Sequence, residues 1–173
     1  MLESIQSLVR APFYDTYLNL VLAENLNQEL IESGAAFEKM IIGLTDEQLT
    51  YRYGAGKWTL AQVILHCIES ELIFTFRALT IAREPNRVEL SGYDENVYAD
   101  ALNLNHQTVG GLRTYFSAAR ASSLGLLKTM RTQLDKIGSA NGHDVQVSSL
   151  FFIISGHTRH HLMVINSKYL NPS

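Results

Sequence analysis

The sequence predicts an all-α protein, an up-and-down four-helix bundle with a long crossover between its second and third helices. Three observations carry this expectation. Only Pro12, Pro85 and Pro172 interrupt the chain, so the intervals between them are open to long helices. Within those intervals apolar residues recur every three to four positions, as a single buried helix face requires. Strands have no good candidates: Val145–Val147 alternates, but a single strand has nothing to pair with.

Residues 1–24 are expected to form an N-terminal arm of a single domain spanning 1–173. The first long helix should run from about Asn25 to Gly43, with Leu26, Leu30, Phe37, Ile41 and Leu44 on one face. Asn25 caps its start, and Gly43 opens the loop Gly43-Leu44-Thr45-Asp46. The second helix begins at a capping box, Thr59-Leu60-Ala61-Gln62, whose two side chains satisfy orphan backbone donors reciprocally. Leu60, Ile64, Cys67/Ile68, Leu72, Leu79 and Ala82 form its stripe to about Arg83, and Pro85 ends it. Residues 84–107 make a polar crossover, unusually long for a connection, with a helical turn or two near Asp94–Leu102. The third helix should span about Thr108–Ile137 and close at Gly138. A loop, Ser139–Val147, then leads into a fourth helix from Ser148 or Ser149 to about Tyr169, with Pro172 as its stop. Each helix has one stripe to bury, and a shared bundle core buries all four.

Bulk composition narrows the function classes. The chain has 173 residues, 46% of them hydrophobic and 18% charged, enough for one core: at about 150 residues, folding buries close to 70% of the unfolded surface. A single cysteine, Cys67, excludes an intramolecular disulfide and fits a reducing cytoplasm. The formal net charge of -3 gives no global attraction to phosphate backbones, so nucleic acid is not an expected partner. The longest uncharged apolar stretches, Trp58–Ile68 and Val145–Thr158, fall short of the roughly 20 residues of a spanning helix. The opening Met1-Leu2-Glu3 has no basic segment ahead of an apolar one, so a signal peptide is not expected.

Six histidines remain as the sign of chemistry. His157 and His161 stand at i and i+4 in the fourth helix, about 40° apart and one turn, roughly 6 Å, along one face. Two neutral imidazoles at that spacing can chelate one divalent cation. A third ligand must come from another helix, and His66 is the natural choice. It lies about 10 Å into the second helix, against about 13 and 19 Å for His157 and His161 in the fourth. In an up-and-down bundle those two helices run the same way, which places all three at similar depth. Three protein ligands leave positions open to water or substrate, as in catalytic rather than structural zinc sites. His160 lies about 60° from His157 on the other side and either replaces His161 as a ligand, lines the pocket or hydrogen-bonds a ligand. His106 and His143 fall in loop sequence and are assigned to solvent. The zinc-protease pattern fails, because Thr158 stands where its catalytic Glu belongs.

With Gly56-Lys57-Trp58-Thr59, His66 followed by Glu69-Ser70-Glu71, Phe76-Arg77-Ala78-Leu79, Gly92-Tyr93-Asp94 with Tyr98, Arg120, and Gly156-His157 with His160-His161-Leu162, the chain resembles the DinB/YfiT-like superfamily of four-helix-bundle metalloproteins. The family's metal triad maps onto His66, His157 and His161. The resemblance implies a divalent metal such as zinc or nickel, completed by water. It also implies a small-molecule substrate, since relatives include S-transferases and isomerases using low-molecular-weight thiols, and others are described as metal-dependent hydrolases. Many relatives have an acidic residue after the first histidine of the last helix; here it is Thr158.

The expected function is therefore a metal-dependent enzyme of the thiol S-transferase type, with a hydrolase or a non-catalytic metal-binding bundle as alternatives. Glu69, one turn beyond His66, and His160 are the candidate catalytic groups. Arg77 and Arg120 are read either as partners of an anionic substrate or as structural ion-pair members. Gly54-Ala55-Gly56-Lys57-Trp58-Thr59 fails as a phosphate loop and reads as a turn, Trp58 packs under the bundle end or also borders the site, and Cys67 is a buried inert thiol. Such folds commonly form homodimers, the expected assembly.

Overall fold

In the computed structural model, which describes residues 5–171, the chain runs α1 (Asp15–Leu18), α2 (Leu26–Ile42), α3 (Leu60–Arg83), β1 (Glu89–Leu90), α4 (Glu95–Ala101), α5 (Val109–Lys128), β2 (Ile137–Ala140), β3 (His143–Gln146) and α6 (Val147–Val164). The first three residues and Pro172, used above as a stop signal, lie outside the described residues. The two expected helix starts are present. Asn25 accepts a hydrogen bond from the Gln28 N–H at 3.0 Å, and the Thr59/Gln62 capping box is complete, at 2.8 and 3.2 Å. Gln62 also donates from Nε2 to the Ala99 carbonyl, fixing α4 over the start of α3.

The four long helices do not pack in simple up-and-down order. α2 and α3 each pack on both α5 and α6, so α2 faces α3 across one diagonal and α5 faces α6 across the other. Side-chain pairings give the directions. Glu71–Arg120, Thr75–Ser123 and Arg83–Thr129 run in step along α3 and α5, which are parallel. The end of α6 lies at the start of α3, where the Tyr169 hydroxyl donates to the Trp58 carbonyl at 2.8 Å. α3 and α6 are therefore antiparallel, and the assumption that the second and fourth helices run the same way is wrong. The cause is the crossover. A connection of that length carries the chain back along the bundle, so the next helix repeats the direction of the previous one instead of reversing it.

The strands are a second difference. α5 ends at Lys128 with Thr129 as its C-cap, some nine residues before the expected Ile137. β2 and β3 pair antiparallel around Asn141-Gly142, both at positive φ (53° and 74°). That is the Asn-Gly hairpin turn whose backbone twist suits flanking strands. β1, from the crossover, joins β2 in parallel, aligning Glu89 with Ser139 and Leu90 with Ala140. Val145 thus has the partners it was denied above. Gly138 is not a helix stop but a strand residue lying over α3, where a Cβ would stand 2.9 Å from Ile81 Cδ1. α6 starts directly from β3 at Val147 and ends in a π-helical segment, Ile165–Leu170.

Burial divides the bundle into layers. One apolar cluster gathers Leu30, Phe74, Ile81 and Phe151 towards the sheet, and another gathers Phe37, Ile68, Phe116 and Ile165 towards the opposite end. Between them each long helix contributes polar side chains: Ser33 from α2, Ser70 and Glu71 from α3, Arg120 and Ser123 from α5, and Ser155, His157 and Thr158 from α6, all buried. Burying such groups costs free energy unless each finds a partner. Arg120 and Glu71 do so as a two-pronged pair at 2.8 and 2.9 Å. Arg120 also donates to the Leu30 carbonyl and to the Ser33 and Thr158 hydroxyls, so it ties all four helices together. Gly34 leaves room for it; a Cβ there would stand 2.8 Å from Arg120 Nη1.

Candidate metal centre

His66 enters the polar layer from α3, and His157 and His161 enter it from α6. His66 Nε2 lies 3.0 Å from His157 Nε2, which lies 3.1 Å from His161 Nε2. One nitrogen from each of the three lies within 4.8 Å of the others. Three nitrogens held at about 2.0–2.1 Å by one tetrahedral cation would sit roughly 3.3 Å apart, so the spacing fits a metal. The protonation chemistry fits as well. Burial pulls His66 down to about 4, partly opposed by the charge of Glu95, and it pulls His161 down to about 3. Burial and the neighbouring histidines hold His157 well below the ordinary histidine range. A neutral imidazole has one N–H and one lone pair. Hydrogen bonding alone therefore serves three converging ring nitrogens poorly, whereas a cation accepts a lone pair from each.

The surroundings fix the rings. Trp58 packs on His66 with centroids 5.1 Å apart, and Tyr17 stands edge-on to His157 at 5.1 Å and to His160 at 5.5 Å. Ser70 Oγ lies 3.5 Å from His66 Nδ1 and 2.7 Å from the Tyr93 hydroxyl, so a polar chain leads from the crossover to the back of His66. Two clefts reach the histidines. A cavity of 230 Å³ is lined by His66 and His157 together with Tyr14, Arg77, Tyr93 and Glu95. A wider one of 350 Å³ is lined by His160 and His161 with Lys57, Trp58 and again Glu95.

Several expectations meet this geometry directly. The structure brings His66, His157 and His161 together as the sequence suggested, although through antiparallel helices: His66 is near the start of α3 and His161 near the end of α6. His160 lines the wider cleft. Glu69 does not belong to either cleft; it is half-buried on another face of α3, where its charge acts on Tyr115 of α5. Trp58 is a wall of the site rather than a simple end plug. Cys67 is fully enclosed, and burial pushes its thiol well up, so it is inert. His106 and His143 are exposed. Arg120 is structural. Thr158, in place of an acid, donates to the Ile154 carbonyl and accepts from Arg120, so its hydroxyl is bound within the framework.

Glu95 and Tyr17 were missed, and Tyr93 was singled out only in a motif and without a role, because only the tertiary fold carries the arm and the crossover to α6 and α3. One signal in the sequence pointed there. Asn141-Gly142 announces a hairpin, and pairing of β1 with that hairpin holds the segment just before Glu95 in place: the Asn141 N–H donates to the Leu90 carbonyl at 2.9 Å.

The family model for the DinB superfamily matches residues 29–165, from the first turn of α2 to just beyond α6. The chain belongs to the DinB superfamily. A protein of Oceanobacillus iheyensis, provisionally named a metal-dependent hydrolase, is 31% identical to this DinB superfamily member over 87 residues. The match covers 50% of this chain and 49% of that protein, so the chain spans about half the length of the curated relative it matches. Among solved structures, YfiT from Bacillus subtilis is described as a probable metal-dependent hydrolase with an unusual four-helix bundle topology. It superposes with a TM-score of 0.71 at 19% identity, covering 92% of this chain and 87% of YfiT. A DinB-like protein from Bacillus cereus gives a TM-score of 0.62 at 16% identity, covering 84% and 91% respectively. At these identities the likeness establishes the DinB fold. Among the described residues, no helix is long and apolar enough to cross a membrane.

Proposed function

We propose that this DinB superfamily protein is a divalent-metal-dependent hydrolase of a small molecule, with His66, His157 and His161 as the metal ligands. The observation that carries the reading is the convergence of three uncharged imidazole nitrogens on one point between two clefts. The names given to the Oceanobacillus iheyensis protein and to YfiT support it. Imidazole donors suit zinc and nickel. A cation held by three protein ligands supplies Lewis acidity and makes coordinated water acidic near neutral pH.

The chain's own residues supply the rest. Glu95 lines both clefts, and we assign to its carboxylate the uptake of a proton from an attacking water. Tyr17 and Trp58 shield His157 and His66 from bulk solvent, and Tyr93 with Ser70 steadies the back of the His66 ring. Thiol transfer, the first expectation from sequence, gives way to its alternative, because both named relatives are described as hydrolases.

The test is turnover of small esters and amides in water by metal-loaded protein, without any thiol. Turnover that stops on chelation and in His161→Ala supports hydrolysis. Turnover only when a low-molecular-weight thiol is added returns the reading to a transferase. Metal binding that raises the melting temperature, with no substrate of either class consumed, leaves a non-catalytic metal-binding bundle.

A further inference from the structure

Arg77 is a buried cation whose described partners are all neutral. Its side chain is only 4% exposed, yet it belongs to none of the ion pairs of the described residues. Nη2 donates to the Ser91 carbonyl at 2.8 Å, and the positive charge acts on the nearby Tyr14 hydroxyl, pulling it down against the larger upward push of burial. The rings of Phe74 and Tyr93 lie 5.7 and 6.0 Å from it. Arginine cannot discharge by losing its proton, so a buried guanidinium without an anion remains a standing cost. Arg120, one layer away, shows the ordinary solution in this fold, a bidentate carboxylate. Glu95 is the acidic residue lining the cavity beside Arg77, but it is exposed and makes no ion pair with it.

The cavity adds direction. Eleven residues separate His66 from Arg77, about three turns, so both side chains leave the same face of α3 roughly 16 Å apart at the backbone. Helical side chains lean towards the N-terminus, which tips Arg77 towards His66. Phe13, Tyr14, Phe74 and Tyr93 supply aromatic walls within the same 230 Å³. The space accommodates a body of a few atoms that meets aromatic rings and polar groups along its flanks and is anionic at the Arg77 end.

We propose that this cavity binds a small carboxylate carried on a short apolar or aromatic body, with Arg77 as its recognition residue. The molecule hydrolysed at the histidines then carries that carboxylate several bonds from the cleaved one. The second statement rests on the hydrolase reading, whereas the first does not. The planar guanidinium fork matches a planar carboxylate and pairs more weakly with its neutral isostere.

The experiment uses chelator-treated full-length protein, so that no metal competes for the anion. Benzoate and benzamide, alike in shape and different in charge, are titrated by calorimetry into wild type, Arg77→Gln and Arg77→Lys, each checked by thermal melting. Benzoate should bind wild type about tenfold or more tightly than benzamide, as expected for a charge-assisted pair. The preference should vanish in Arg77→Gln and survive only in part in Arg77→Lys. If the variants do not fold, wild type still decides, because benzoate must shift the Arg77 Nε–H resonance. Equal binding of the two ligands, a preference unchanged in Arg77→Gln, or benzoate shifts confined to other residues would overturn the proposal. Zinc titration is run separately: zinc binding without benzoate binding removes this inference alone, and benzoate binding without zinc binding removes the metal reading alone.

Discussion

Gly156 of α6 lies directly under the backbone of Tyr17, so close that a Cβ on Gly156 would stand 2.6 Å from the Tyr17 carbonyl carbon. The arm therefore docks on the helix one residue before His157, and Tyr17 closes over that ring as a consequence. Adding a methyl group here collides with main chain rather than with a side chain that could turn away. Gly156→Ala should destabilise the protein by about 1–3 kcal/mol, the usual cost of overpacking. It should also release the arm, read as faster proteolysis between Pro12 and Ala23 with α3 and α6 still protected. An arm as resistant as in wild type would contradict the packing described.

Metal content should follow the histidines. His66→Ala and His161→Ala should each lose bound zinc or nickel relative to wild type, measured by metal analysis of proteins purified side by side. His160→Ala should keep it, because its ring lines the cleft without joining the three converging nitrogens. Equal metal in wild type and His66→Ala would refute the ligand assignment.

Acid should destabilise the metal-free protein before carboxylates titrate. Burial lowers His66 to about 4 and His161 to about 3, whereas the unfolded chain protonates its histidines near their ordinary 6.5. Below about 6.5 the unfolded state binds protons that the native state refuses, so stability is full above that pH and falls as pH drops. The loss continues to about 4 for His66 and about 3 for His161, at no more than about 1.4 kcal/mol per histidine per pH unit. Urea midpoints of chelator-treated protein at pH 7.5, 6 and 5 should decline in that order. A flat profile would mean that the rings are not buried as described.

Breaking the Arg120–Glu71 pair should be the most damaging single change away from the histidines. Both side chains are nearly enclosed, at 7% and 1% exposure. Glu71→Gln strands the guanidinium and should cost about 3–5 kcal/mol, measured by denaturant unfolding. Glu38→Gln, which breaks the exposed Arg113 pair on the surface, should cost less than about 1 kcal/mol.

Glu95→Gln tests the proton acceptor. General-base catalysis is worth about 10²–10⁴-fold, so hydrolysis should fall by roughly that factor while metal content is unchanged. Glu69→Gln, on a face that borders neither cleft, should leave both the rate and the metal nearly as they are.

Helix starts and the spacing of His157 and His161 were legible in the sequence because both are local patterns. The capping box at Thr59 and the i, i+4 spacing of His157 and His161 depend on residues within a turn or two and appear where they were expected, and the stripe of α3 is turned inward except at Leu79, which is exposed. His66 was also found, although the depth argument assumed parallel helices; the antiparallel arrangement brings the beginning of α3 to the end of α6 and reaches the same three residues. The end of α5 was misjudged because Met130 and Leu134 continue the apolar spacing. Met130 is buried and Leu134 partly buried from irregular chain, and packing rather than helix made the pattern. The Asn141-Gly142 turn was a readable hairpin signal that the helical periodicity overshadowed.

By itself, then, the sequence determined the helix starts, the caps at Asn25 and Thr59 and the pairing of His157 with His161, since each follows from short-range sterics, hydrogen bonding or side-chain spacing. Only the tertiary structure decided which helices are neighbours, how the crossover pairs with the hairpin, and which side chains surround the histidines. Those depend on contacts between residues far apart in the chain, such as Tyr17 with His157 and Arg120 with Glu71. Periodicity marks such residues as buried or polar without saying against what they pack. For that reason Glu69, next to His66 in sequence, lies outside the site, and Glu95, delivered by a strand pairing, lies at its mouth.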